Sequence, residues 1–210
     1  RTVIFGLTPW TFGIPSVLSL YWNRTDGLDH ALDLMDECMP WYVKLAAGHG
    51  TGAEVMMRAE AHLCRGEEAE AETLSHKALY LAREAGQISL CLCAELVLAR
   101  LAILRGDGAA FGAVRENIAG YRKESPERAI ARMVELCLAV LDLSLGKTEE
   151  IPGWLREAES IRKVLYVQGH PYGLMFFARL LFLEKRYPEL YGMAEPAMEM
   201  AAGMKYELPR

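Results

Sequence analysis

The chain repeats itself at a step of about forty residues, and that period restricts it to a small set of folds. Ala59 precedes Gly66 by seven residues, and Ala99 and Gly106, Ala139 and Gly146, and Ala178 and Lys185 keep the same spacing. The small residue therefore recurs at intervals of 40, 40 and 39. Each pair closes an apolar helical run and opens a more polar one, through Arg65-Gly66-Glu67, Arg105-Gly106-Asp107, Leu145-Gly146-Lys147 and Glu184-Lys185-Arg186. A helical hairpin of this length cannot bury its apolar face alone, so its neighbours must supply the partner surface. Ala59, Gly66, Ala71 and Ala78 follow the tetratricopeptide pattern: a small residue on helix A, glycine at the turn and two alanines on helix B. No segment alternates as a half-buried strand would. The expected fold is all-α, a right-handed superhelical solenoid of antiparallel hairpins. It forms one domain over 1–210, with 52% hydrophobic residues to fill its core.

Turn signals divide that domain. Residues 1–50 read as an atypical capping hairpin: an apolar lead-in broken by Pro9 and Pro15, a short helix from Ser16 to Arg24, the turn Thr25-Asp26-Gly27, and a long helix from Leu28 to Ala47 that Pro40 bends. Repeats follow over 51–87, 88–124, 125–168 and 169–204. Their helices are expected from Glu54 to Arg65, Glu67 to Ala85, Ile88 to Leu104, Ala109 to Tyr121, Glu127 to Leu145, Glu149 to Tyr166, Tyr172 to Glu184 and Tyr187 to Ala202. The glycine-dense Gly48-His-Gly-Thr-Gly52 lacks the Lys-Ser or Lys-Thr of a phosphate loop and has no strand before it. It reads as an inter-helix turn in which Thr51 or Gly52 caps the next helix.

Composition narrows the function classes. A net charge of −5, with both signs spread along the chain, offers no basic stripe for a phosphate backbone, so direct nucleic-acid binding is not expected. The apolar run from Ile88 to Leu104 carries Glu95 and Arg100, which argues against a membrane span. Five cysteines, most of them inside apolar helical runs, suit buried thiols in a reducing cytoplasm. The histidines His30, His49, His62, His76 and His170 include no pair three to five apart, and no nucleophile motif is present. Neither a metal site, a cofactor nor catalysis is expected.

The candidate functional face lies on the A helices. Glu60, Arg100 and Arg179 each follow the repeat alanine, at a position that lines the concave groove of tetratricopeptide-like stacks. Such a row could hold a carboxylate or phosphate bidentately; alternatively, each arginine snorkels or pairs with a glutamate such as Glu95 or Glu135. Met56, Cys93, Leu96, Met133, Leu136, Tyr172 and Met175 complete the groove, an adaptable lining for a peptide or an apolar small molecule, although such a stripe also suits plain core. Glu95 and Glu135, 40 apart in apolar helices, require partners. Arginines of an adjacent helix A, such as Arg58, Arg100 or Arg132, are the expected ones.

Beyond the repeat, Phe12-Gly-Ile-Pro-Ser-Val-Leu18, Gly48-His-Gly-Thr-Gly-Ala-Glu54, His76-Lys-Ala-Leu-Tyr80, Cys91-Leu-Cys-Ala-Glu-Leu-Val-Leu-Ala-Arg100 and Glu159-Ser-Ile-Arg-Lys-Val-Leu-Tyr166 form a further set of blocks. Together they resemble the central helical region of large bacterial LuxR-type transcriptional regulators of the maltose-activator kind. The resemblance implies a fragment of a larger cytoplasmic protein, flanked by a signalling NTPase and a helix-turn-helix domain. It further implies a sensing and self-association module that takes a small-molecule effector or a protein partner. This chain carries neither the phosphate-binding lysine motif nor a helix-turn-helix, so ATP and DNA binding do not transfer to its residues. A general protein-interaction scaffold unrelated to transcription is the alternative.

Overall fold

The computed structural model describes residues 33, 36–37, 52–124, 127–157 and 171–193, without the side chains of Cys64 and residues 171–175. All regular structure among them is helical: α1 (Ala53–Cys64), α2 (Glu68–Glu84), α3 (Ile88–Arg105), α4 (Gly108–Glu124), α5 (Arg128–Ser144) and α6 (Pro171–Leu183). A 3-10 turn (Gly153–Leu155) lies before α6, and residues 187–193 are helical after it. Residues 33, 36 and 37 are helical. The rest of the capping hairpin expected over 1–50, the later part of the helix expected from Glu149 to Tyr166, and the end of the final helix lie outside the described residues.

The chain divides into two compact units, one holding the described residues up to Leu141 and the other those from Asp142 onward. In the first, α1 packs on α2, α2 on α3, α3 on α4, and α1 also touches α3. The order follows from apolar patterning. Leu90, Cys91, Leu92, Ala94, Val97, Leu98, Ala99, Leu101 and Ala102 of α3 are all buried and cover most of the helix, which suits an element with several packed neighbours. The A-helix alanines Ala59, Ala99 and Ala139 are at most 1% exposed, while Ala178 is half-buried. Opposite Ala59, the α2 alanines Ala71 and Ala78 are equally buried. Residues without a long side chain let two helix backbones approach closely, and the repeat uses them for that purpose.

Four turns close in the same way. Gly66, Gly106, Gly146 and Lys185 take φ values of 76, 66, 74 and 57°. In each, the amide of the next residue reaches back five residues: Glu67 donates to the His62 carbonyl, Asp107 to Ala102, Lys147 to Asp142 and Arg186 to Leu181, all at 2.9 Å. The left-handed residue itself donates three back, to Leu63, Ile103, Leu143 and Phe182, at 3.0–3.1 Å. These are Schellman closures, which satisfy the last carbonyls of a helix and need a residue at ease with positive φ. Lys185 has no such ease, so the fourth turn carries a strain the other three lack. Beyond the second turn, the Asp107 carboxylate accepts the Ala110 amide at 2.9 Å and caps α4.

Gly52 is glycine for two reasons. It caps α1 with φ 73°, and its carbonyl accepts the Met56 amide at 2.9 Å. A Cβ there would lie 3.0 Å from the Ala78 carbonyl oxygen and 3.0 Å from Leu81 Cβ. Thr51, the other expected cap, lies outside the described residues.

One expected element is corrected. The helix placed from Glu149 does not begin there: residues 149–150 form a turn, Gly153–Leu155 a single 3-10 turn, and 156–157 a bend. Pro152, at φ −56° and ψ 142°, is the cause, since proline lacks an amide and drives its predecessor out of the helical region. Ile151 and Leu155 are buried by this arrangement, and Arg156 donates to the Ile151 carbonyl at 3.1 Å and also to that of Thr148. The same guanidinium pairs with Glu184, which Arg186 also holds at 3.1 Å. Phe176, Phe177, Leu180 and Leu181 of α6 are buried.

Candidate functional site

Six of the residues singled out by the repeat register, or their repeat neighbours, lie half-buried on α3 and α5. Cys93, Leu96 and Arg100 are half-buried on α3, between fully buried neighbours. Spacings of three and four place them on one helical face. Met133, Leu136 and Val140 of α5, forty residues later, are half-buried in the same register. Earlier, Met56 of α1 is 5% exposed and belongs to the core, whereas Glu60 remains half-buried. Tyr172 and Met175 have side chains outside the described residues.

Charge at these positions is matched internally. Arg100 pairs with Glu60, one repeat earlier, so the two join α3 to α1. Arg179 has a different neighbourhood: its Nε donates to the Leu143 carbonyl at 2.8 Å and its Nη2 to the Ser144 carbonyl at 3.4 Å. It thus serves the carbonyl end of α5, where a cation meets the negative end of the helix dipole.

Glu95 and Glu135 have the partners that burial demands, from an unexpected place. Arg83 Nη2 lies 3.3 Å from Glu95 Oε1, and Arg122 Nη2 lies 3.3 Å from Glu135 Oε1. Both arginines stand near the end of helix B of the preceding hairpin, so these two pairs join B to the next A. The signal was present in the sequence: Arg83 and Arg122 are 39 apart, one repeat step, and so travel with the two glutamates. The first pair is also the more buried, since the Glu95 side chain is 1% exposed and that of Glu135 24%.

Around Glu95 the contacts close into a ring. Arg83 Nη2 donates to the Tyr121 hydroxyl at 3.2 Å, and that hydroxyl donates to Glu95 Oε1 at 3.5 Å. Burial pushes the Glu95 carboxyl above its ordinary range, opposed by Asn117, Arg83, Tyr121 and His76. Tyr121 is pushed up to about 12, chiefly by burial. Arg83 rises through its hydrogen bond to Tyr121, despite some desolvation.

Three described thiols, Cys91, Cys93 and Cys137, are held protonated by burial. Burial pushes Cys93 up to about 12, raises Cys137 further with a contribution from Cys93, and raises Cys91. A thiol held protonated is a poor nucleophile and a poor metal ligand. Among the described residues, no group of three His, Cys, Asp or Glu could hold a metal ion, and no helix is long and apolar enough to cross a membrane.

No protein-family model, curated protein or solved structure matches this chain. What these positions can do chemically therefore rests on their own residues: apolar and sulfur-bearing side chains, of adaptable shape, beside the Arg100–Glu60 ion pair.

Proposed function

We propose that the chain is a non-enzymatic binding module whose hairpins stack as a right-handed, tetratricopeptide-like solenoid and whose A helices present the binding face. The carrying observation is the register: Cys93, Leu96 and Arg100 on α3 and Met133, Leu136 and Val140 on α5 are half-buried at the same repeat positions. A repeat that sets the same positions of successive A helices at the same depth would build its surface from a single local rule. The four identical turns and the contact of α1 with α3 support that stacking.

The resemblance to the central region of LuxR-type regulators gives this surface a purpose. The module senses an effector or a partner protein in the cytoplasm, takes part in self-association, and controls flanking NTPase and helix-turn-helix domains. Binding regulates only through unequal affinity for two states. Calorimetry of the chain against a panel of small metabolites tests the reading. Heat from one compound, abolished by Leu96→Asp and Leu136→Asp with folding intact, supports it; heat indifferent to those changes removes the site from the A-helix strip.

One observation favours a protein partner over a small anion. Arg100 is engaged by Glu60, so the strip offers mainly apolar contact. An amphipathic helix laid along it would use that surface best. This is the scaffold reading, and a pull-down that recovers a stoichiometric protein in the absence of any metabolite distinguishes it.

A further inference from the structure

Three helices of the first unit meet at Glu95. Arg83 arrives from α2 and Tyr121 from α4, and both contact the same carboxylate oxygen, Oε1. The other oxygen, Oε2, is buried and has no hydrogen-bond partner. A carboxylate so placed is half-satisfied, and a negative charge on it is costly where water is excluded. Its counter-charge is also loosely held: the Arg83 side chain is 54% exposed and can turn to solvent at little cost.

From these contacts we infer that Glu95 is a proton-accepting group at the α2–α3–α4 junction, which takes up a proton on Oε2 as pH falls and releases Arg83. Protonation neutralises the buried charge, and the proton sits on the oxygen that has no donor to lose. Asn117 stands one helical turn before Tyr121 on α4 and acts on the same carboxyl. Its amide can turn to offer NH2 to the ionised form or a carbonyl oxygen to the protonated one. The other groups acting here are His76 from α2, and Cys91 one turn before Glu95 on α3, itself buried and coupled to Tyr121 and Arg83. His76 is exposed, and its own protonation favours ionised Glu95, so it opposes the switch.

The sign follows from linkage. Burial holds the folded-state value of Glu95 above the ordinary 4.5, so the folded chain binds this proton more tightly than the unfolded chain. The contribution is fully present below the unfolded value and is lost as pH rises through the folded one. Glu135, at the same repeat position but 24% exposed, serves as the internal comparison.

The test is thermal unfolding of the chain and of Glu95→Gln across pH 5 to 8, with a parallel carbon-13 titration of labelled glutamate carboxyls. Gln stands in for the neutral carboxyl. The proposal expects the native chain to lose midpoint temperature relative to E95Q as pH rises, and the Glu95 resonance to titrate above 4.5. His76→Gln should raise that midpoint further. A constant difference between the two chains, or a native chain that gains on E95Q toward pH 8, overturns it. Should E95Q fail to fold, the titration decides alone: a Glu95 midpoint at or below 4.5 defeats the proposal.

Discussion

Arg100 on α3 closes on Glu60 of α1, and the two stand forty residues apart at the same position of successive repeats. The pair ties hairpin to hairpin across the A helices. Partial exposure of both side chains limits its value. A double-mutant cycle with Arg100→Ala and Glu60→Ala should give a coupling of about 0.5–1 kcal/mol, weakening with salt. Strict additivity would mean the pair does not act as a link.

Lys185 is the only described non-glycine residue with positive φ, at a turn where three other repeats use glycine. Lys185→Gly should raise stability by about 1 kcal/mol, read by denaturant unfolding, because the side chain no longer opposes the left-handed turn. The reciprocal Gly106→Lys should lower it by a similar amount. Equal stability of native and K185G chains would show the turn to be unstrained.

Glycine at 52 and glycine at 66 predict different penalties. A Cβ at Gly66 meets nothing within 4 Å, so Gly66→Ala bears only the cost of positive φ, about 1 kcal/mol. At Gly52 the same conformational cost is joined by a clash with the α2 backbone at Ala78. Gly52→Ala should therefore cost roughly 2–3 kcal/mol. Similar losses from the two would refute the close approach of α1 and α2.

Ala99 is fully buried where its repeat partner Ala178 is half-buried. Ala99→Leu should cost about 1–3 kcal/mol by overpacking. Ala178→Leu should cost less, as space remains beside it. A reversed order, measured by chemical denaturation, would contradict the assignment of Ala99 as the close-packing position.

The repeat was legible because its two anchors are local. A buried alanine and a left-handed turn residue leave a mark at fixed spacing in one dimension, and the structure places Ala59, Ala99, Ala139 and the four turns accordingly. The segment after Gly146 was less legible: the apolar residues Ile151, Trp154 and Leu155 suggest a helical face, but Pro152 overrides the pattern. The B-helix partners of Glu95 and Glu135 were less legible for another reason. Their need of a cation follows from composition, but which helix supplies it depends on how B packs on the next A, and only three-dimensional packing makes Arg83 and Arg122 the near ones. Arg179 likewise reads as a groove residue by register and is a helix cap by contact, because its reach to the Leu143 carbonyl depends on where α6 lies beside the end of α5.

We propose the half-buried A-helix residues as the place where this chain binds its partner. Selection of a random peptide library against the immobilised chain, followed by affinity measurement on Leu96→Asp/Leu136→Asp and on the exposed-site control Glu116→Lys, tests it most directly. Enriched amphipathic peptides should lose at least about tenfold in binding, roughly 1.4 kcal/mol, to the double variant and none to the control. Peptides that bind the native chain and the double variant equally well would contradict it.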